Sequence, residues 1–205
     1  PAGAPAGAAD DAAGRSRLLR DTRFRWLAFA FTGNMLAFAA MGLHLLAMLQ
    51  EQGFTPARAA WLAALVGPMQ VAGRIVEFAF AHRASASRVG EIALFAFPIS
   101  LLVLAFAGGS TAAVVAFAVI YGASNGVMTI VRGTVPAEIW GREGYGGLAG
   151  LMATPVLLAR AAGPFAAGGI LALAGGYRAV TLSLAAVGVI SWVAFAMAVR
   201  RGGRA

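Results

Sequence analysis

Residues Ile92 to Ala107 read IALFAFPISLLVLAFA and carry no charged side chain. A helix buried in a large soluble core still turns a polar, charged stripe toward water. This run has none, so the solvent it suits is lipid. About 20 mostly apolar residues cross a hydrocarbon core of about 30 Å, and the run reads as a span over Val89 to Ala107. Pro98 lies near its middle and Gly108-Gly109-Ser110 forms its turn.

Working outward, five further runs have the same character. Toward the N-terminus lie Pro56 to Ala81, interrupted by Gly67-Pro68 and Gly73, and Phe24 to Leu49, which stops at Gln50-Glu51-Gln52-Gly53. Toward the C-terminus lie Thr111 to Val131, then Tyr145 to Ala174 with Pro155 and Gly163-Pro164, then Tyr177 to Val199. Thr55-Pro56 has the form of an N-cap followed by proline at the first helical position. Isolated Gly and Pro are compatible with spanning helices, because neighbouring helices and local water satisfy the freed backbone groups. The expectation is an all-α polytopic membrane protein with six helices in a bundle over 23–201. A flexible cytoplasmic linker over 1–22, rich in Ala, Gly and Pro at its start, precedes it, and a short tail over 202–205 follows.

The composition agrees: 60% of residues are apolar and 12% charged, against roughly half and a quarter in a soluble domain. The net charge of +8 comes from sixteen Arg and no Lys, set against eight acids. These Arg flank apolar runs, and no basic aromatic patch or RNA-binding signature accompanies them, so nucleic acid is not an expected partner. With no Cys, disulfides, thiol catalysis and Cys-ligated metals are excluded; no metal or cofactor is expected.

Arginine placement sets the expected orientation, since positive residues are retained on the cytoplasmic side. Arg15, Arg17, Arg20, Arg23 and Arg25 precede the first span. Arg83 and Arg88 fill the second loop, Arg132 and Arg142 the fourth, and Arg200, Arg201 and Arg204 the tail. The opposite side has only Arg58 and Arg178, while Arg74 and Arg160 fall inside spans. Both termini are therefore expected in the cytoplasm, with the chain multi-pass in the plasma (inner) membrane.

Spans two and five share the spacing Gly-Pro-x4-Gly, as Gly67-Pro68 with Gly73 and as Gly163-Pro164 with Gly169. The two spans cross in opposite directions. That suits a three-plus-three inverted repeat, and Gly/Pro-interrupted spans at matching positions point to a transporter binding site.

Motifs in order along the chain carry a family resemblance. They are Arg23-Phe24-Arg25-Trp26-Leu27, Gly53-Phe54-Thr55-Pro56, and the run Gly67-Pro68-Met69-Gln70-Val71-Ala72-Gly73-Arg74. Arg132-Gly133-Thr134-Val135-Pro136-Ala137-Glu138 follows with Gly141-Arg142, and then Ala162-Gly163-Pro164 with Gly168-Gly169. From about Asp21 to Arg201 the sequence resembles the C-terminal six-helix half of the major facilitator superfamily (MFS) of secondary transporters. The resemblance implies an MFS half-bundle moving a small solute by alternating access. It implies a similar N-terminal half before residue 1, and close helix packing at Gly163, Pro164, Gly168 and Gly169, as at Gly67, Pro68 and Gly73. One departure stands out: where the family's basic loop has Asp-Arg, this chain has His82-Arg83, so the candidate gating residue Arg83 lacks the family's preceding acid.

Charged groups deep in a span cost several kcal/mol and are functional candidates by default. Arg160 is the first of them, near the middle of span five and one turn before Gly163-Pro164. Gln70, Arg74 and Glu77 share one face of span two, where Arg74 and Glu77 have the spacing for an internal pair. Asn34 and Asn125 are further candidate solute contacts, and His44 and Glu77 candidate coupling groups, against a reading of lone polar groups as interhelical glue. The acids, Asp10, Asp11, Asp21, Glu51, Glu77, Glu91, Glu138 and Glu143, all fall in tails, loops or span ends. Arg160 is thus left without a fixed counter-ion, and arginine grips carboxylate or phosphate bidentately. An organic anion is the expected solute.

Two other classes compete. Gly122-Ala123-Ser124-Asn125-Gly126 matches G-x-S-x-G, on the span where rhomboid-like intramembrane proteases carry their serine. Such a serine needs a His on a nearby span, and Tyr177 to Val199 has none, so these small residues read as helix packing and no enzyme is expected. A stand-alone six-helix homodimeric carrier or channel is the other alternative to a half-transporter. The expected partners are the lipid bilayer, a small-molecule solute, and either an N-terminal six-helix half or a second copy.

Overall fold

The computed structural model describes residues 14, 16–80, 83–142 and 144–200. The start of the linker, His82 and the C-terminal tail expected from the sequence lie outside these residues. Among the described residues there is no strand, and six helical segments are long and apolar enough to cross a membrane. The chain is an all-α polytopic membrane protein.

Helix α1 runs Thr22–Glu51. Its first turn is capped by Asp21, whose side chain accepts from the Arg23 backbone N–H at 2.8 Å. Span two is two helices, α2 at Pro56–Ala64 and α3 at Val66–Phe80. Thr55 caps α2 and Pro56 opens it, as its sequence predicts. The break at Leu65 follows from Pro68, which lacks an N–H and whose ring crowds the carbonyl four residues earlier, at Ala64. Helix α4, Ala86–Ala105, starts on Ser85, and α5, Thr111–Trp140, starts on Ser110. Helix α6 is Tyr145–Ala174 and α7 is Tyr177–Arg200. Pro98, Pro136, Pro155 and Pro164 all sit inside continuous helix.

The helices pack in a row. Helices α4 and α7 meet at its centre; α5 flanks α4 and α1 flanks α7; α3 is outermost against α5, and α6 outermost against α1. In spans the order is two, four, three, six, one, five. Exchanging the first three spans for the last three reverses this row onto itself. Spans three apart in an alternating chain run in opposite directions, so the packing has the form of a three-plus-three inverted repeat.

The Gly-Pro echo that pointed to this repeat does not lie at equivalent contacts. A Cβ on Gly73 would strike the Ala123 backbone of α5, and one on Gly163 would strike the Leu36 carbonyl of α1 and lie 3.1 Å from the Ala40 nitrogen. The matched pair is thus Gly73 and Gly163. A Cβ on Gly67, Gly168 or Gly169 would meet nothing within 4 Å, so these three make no close packing contact among the described residues. Pro68 is exposed too; it breaks span two instead of packing it. The close α3–α5 approach rests also on Gly122, where a Cβ would come 2.6 Å from Met69 Cβ, and on Gly126, which faces the Gln70 carbonyl. The packing reading of G-x-S-x-G therefore holds, and Ser124 Oγ donates to the Ala93 carbonyl of α4 at 2.7 Å.

Both ends of the bundle are stapled by polar contacts. At the Arg-rich end, Trp140 Nε1 donates to Asp21 at 3.0 Å, Arg23 Nε to the Ala198 carbonyl at 3.2 Å, and Arg200 pairs with Glu91 at 2.7 Å. At the opposite end, Glu51 accepts from the Tyr177 backbone N–H at 2.9 Å and so caps the start of α7. Arg58 there donates to Thr111 at 2.8 Å, and Arg178 lies 4.8 Å over the Phe106 ring. The two Arg that run against the charge bias are thus both held by contacts at their own end.

Spans two and five leave much surface uncovered. In their most apolar stretches 17% and 22% of residues are buried, against 44% to 56% in the other four. Trp61, Ile75 and Phe78 on span two, and Leu158, Phe165 and Leu173 on span five, are exposed.

Candidate functional site

Asn34 of α1 is fully buried, and its Oδ1 accepts from Arg132 Nη2 of α5 at 3.4 Å. Two helices, α1 and α5, thus bring an amide and a guanidinium together. Arg160 of α6 lies near the middle of its helix and is exposed.

The depths agree. At 1.5 Å per residue, Asn34 and Arg160 lie within about 4 Å of their helix midpoints, and the Arg132 backbone lies about 10 Å from its own. Side chains on a helix lean toward its N-terminus, which aims the Arg132 guanidinium back toward the middle of α5. The same face of α5 carries Tyr121, whose ring stacks on Phe38 of α1 at 5.9 Å and whose hydroxyl donates to the Phe38 carbonyl at 3.3 Å. Asn125 lies between Tyr121 and Arg132 on this face.

The hydrogen-bond count at the cluster is incomplete on both sides, for Asn125 Oδ1, a buried acceptor, is unpaired as well. Asn34 Nδ2 and Arg132 Nε are buried and have no partner. Both are donors, and buried polar groups in folded proteins are almost always satisfied. The described acids are committed elsewhere: Asp21 to Trp140, Glu51 to Tyr177, Glu91 to Arg200, and Glu138 to the Ser87 backbone N–H at 3.1 Å. Glu77 sits on α3, at the other end of the row from Arg160.

The remaining candidates divide. Asn125 is buried, but its Nδ2 donates to the Tyr121 carbonyl of its own helix at 2.8 Å, leaving Oδ1 unpaired. Gln70 is half-buried and Arg74 exposed, both on outermost α3, away from Arg160. Arg74 and Glu77 form no ion pair among the described residues. Glu77 and Arg83 instead line a lateral groove of about 590 Å³ between α3, α4 and α5, with Ile92, Val119 and Ala123 among its apolar walls. His44 is near the opposite end, where its ring nitrogens lie 3.3 Å from the Tyr177 hydroxyl and 3.1 Å from the Pro164 carbonyl. It joins α1, α6 and α7. Pro164 therefore contributes an acceptor to helix association. Among the described residues no three His, Asp or Glu side chains gather as metal ligands.

Arg132 is the residue that sequence reasoning placed wrongly. Ending span four at Val131 made it a loop cation, but α5 continues to Trp140 and holds Arg132 in the interior. The missed signal is the largely apolar continuation through Trp140 to the stop at Gly141, which takes a positive φ of 82°. Pro136 resembled a terminator, yet a spanning helix tolerates it.

No protein-family model matches the chain, and no curated protein matches it either.

Proposed function

We propose that the chain is one six-helix half of a secondary transporter of the MFS kind, moving a small organic anion by alternating access, with both termini in the cytoplasm. The observation that carries this reading is the row of spans, an inverted three-plus-three arrangement that leaves spans two and five uncovered at its two ends. Transporters built from such repeats place the solute near the bilayer midplane, between two bundles that rock against each other. A second bundle laid against spans two and five would cover their exposed apolar side chains and enclose the space beside Arg160. Arg160, near the middle of span five, supplies an attraction for negative charge, which is the basis for choosing an anion.

The experiment is reconstitution in liposomes of the 205 residues alone and of the same residues with whatever its gene encodes upstream, followed by uptake of labelled organic anions. Uptake only when a further six-span segment is present supports the half-transporter. Uptake by the 205 residues alone contradicts it and replaces it with a homodimeric carrier or channel.

A further inference from the structure

Helices α3 and α4 both pack on α5 and make little contact with each other, so a valley of about 590 Å³ opens between them with α5 as its floor. We propose that this valley binds an acyl chain of one phosphatidylethanolamine, whose ammonium pairs with Glu77 and whose phosphate meets Arg83. The site does not depend on the transporter reading.

The shape of the valley suits a hydrocarbon chain. Its wall on α4 runs from Val89 to Ala96 and its floor on α5 from Val119 to Val127, about 10 and 12 Å at 1.5 Å per residue. Small side chains at Ala93, Ala96 and Ala123 leave the width, and Ile92 and Val119 stand exposed beside it. The lining hydroxyl, Ser124, is engaged with the Ala93 carbonyl at 2.7 Å, so the walls offer hydrocarbon contact. A concave apolar site with a few polar groups to fix orientation is the usual form of a small-molecule site.

The charges sit at one end and select the headgroup. Glu77 lies within a turn of the end of α3 and Arg83 in the loop that leads to α4, on the Arg-rich side. Glu77 is half-buried and makes no hydrogen bond or ion pair among the described residues. A carboxylate at the edge of the hydrocarbon needs a cation or donors. A purely anionic headgroup is repelled by Glu77, and a choline ammonium has no N–H to give it. A primary ammonium supplies both the charge and three donors. The Arg83 guanidinium has five donors, enough to take a phosphate beside its contact within the protein.

The test is lipid titration of the purified, delipidated full-length gene product, read by native mass spectrometry. The probes are phosphatidylethanolamine, phosphatidylcholine and phosphatidylglycerol with identical acyl chains. The first phosphatidylethanolamine is expected to bind at least about tenfold tighter than either of the others. Glu77→Gln should remove that preference, and Glu77→Arg should reverse it toward phosphatidylglycerol. Ala96→Phe fills the valley without touching its charges; it should weaken phosphatidylethanolamine at least about tenfold, and it decides the matter if the Glu77 variants do not fold. The proposal is overturned if the three lipids bind alike, as annular lipid only, if the preference survives Glu77→Gln, or if Ala96→Phe leaves tight binding intact. Absence of any tightly bound lipid, with this face covered by protein instead, overturns it too.

Discussion

Arg132 Nη2 donates to Oδ1 of the fully buried Asn34 at 3.4 Å, and this contact joins the face of α5 to that of α1 across the bundle. The amide takes up one donor of a guanidinium with no carboxylate beside it. Asn34→Leu removes the acceptor and leaves Arg132 worse satisfied. A loss of about 1–3 kcal/mol is expected, seen as a lower midpoint in detergent unfolding, while Gln70→Leu on half-buried α3 should stay within about 0.5 kcal/mol.

Glycine substitutions should separate true packing contacts from the apparent motif. Gly73→Leu, Gly126→Leu and Gly163→Leu drive side chains into facing backbone, and overpacking of this kind costs about 1–3 kcal/mol or more. Gly168→Ala and Gly169→Ala meet open space and are expected to leave the unfolding midpoint of the purified chain unchanged or slightly raised.

The cap that Glu51 supplies to α7 is a contact between two spans at the end opposite the Arg-rich one. Glu51→Ala should cost about 1 kcal/mol, in the range of helix N-caps, and Glu51→Gln, which keeps an acceptor but loses the charge at a helix N-terminus, should cost less. Comparing the three unfolding midpoints checks the order.

The absence of cysteine makes the chain a clean background for labelling. Under the proposed orientation, with both termini cytoplasmic, Arg88→Cys and Thr134→Cys should react with a membrane-impermeant maleimide only in inside-out vesicles, and Gln50→Cys and Arg178→Cys only in right-side-out cells. The reverse pattern would contradict the orientation.

The spans were legible because hydropathy is a local property: runs such as Ile92 to Ala107 need no knowledge of their neighbours. Caps were legible where chemistry is local too, as at Thr55-Pro56. The end of span four was not, because Arg132 and Pro136 both resemble a terminus until burial against Asn34 is known. The repeat was inferred correctly in kind but from the wrong glycines, since only the packing reveals that Gly73, and not Gly67, corresponds to Gly163. Arg160 was found from its depth, whereas the contact between Asn34 and Arg132 depends on how α1 and α5 meet across the bundle, and a single sequence read along its length does not contain that.

The most direct test of the account is anion uptake into proteoliposomes by the gene product and by its Arg160→Ala variant, with equal reconstitution verified by unfolding midpoint and protein content. The account predicts uptake by the parent and a loss of at least about tenfold in the folded variant, as expected when a charge-assisted contact to the solute is removed. Uptake that persists undiminished in Arg160→Ala would contradict it.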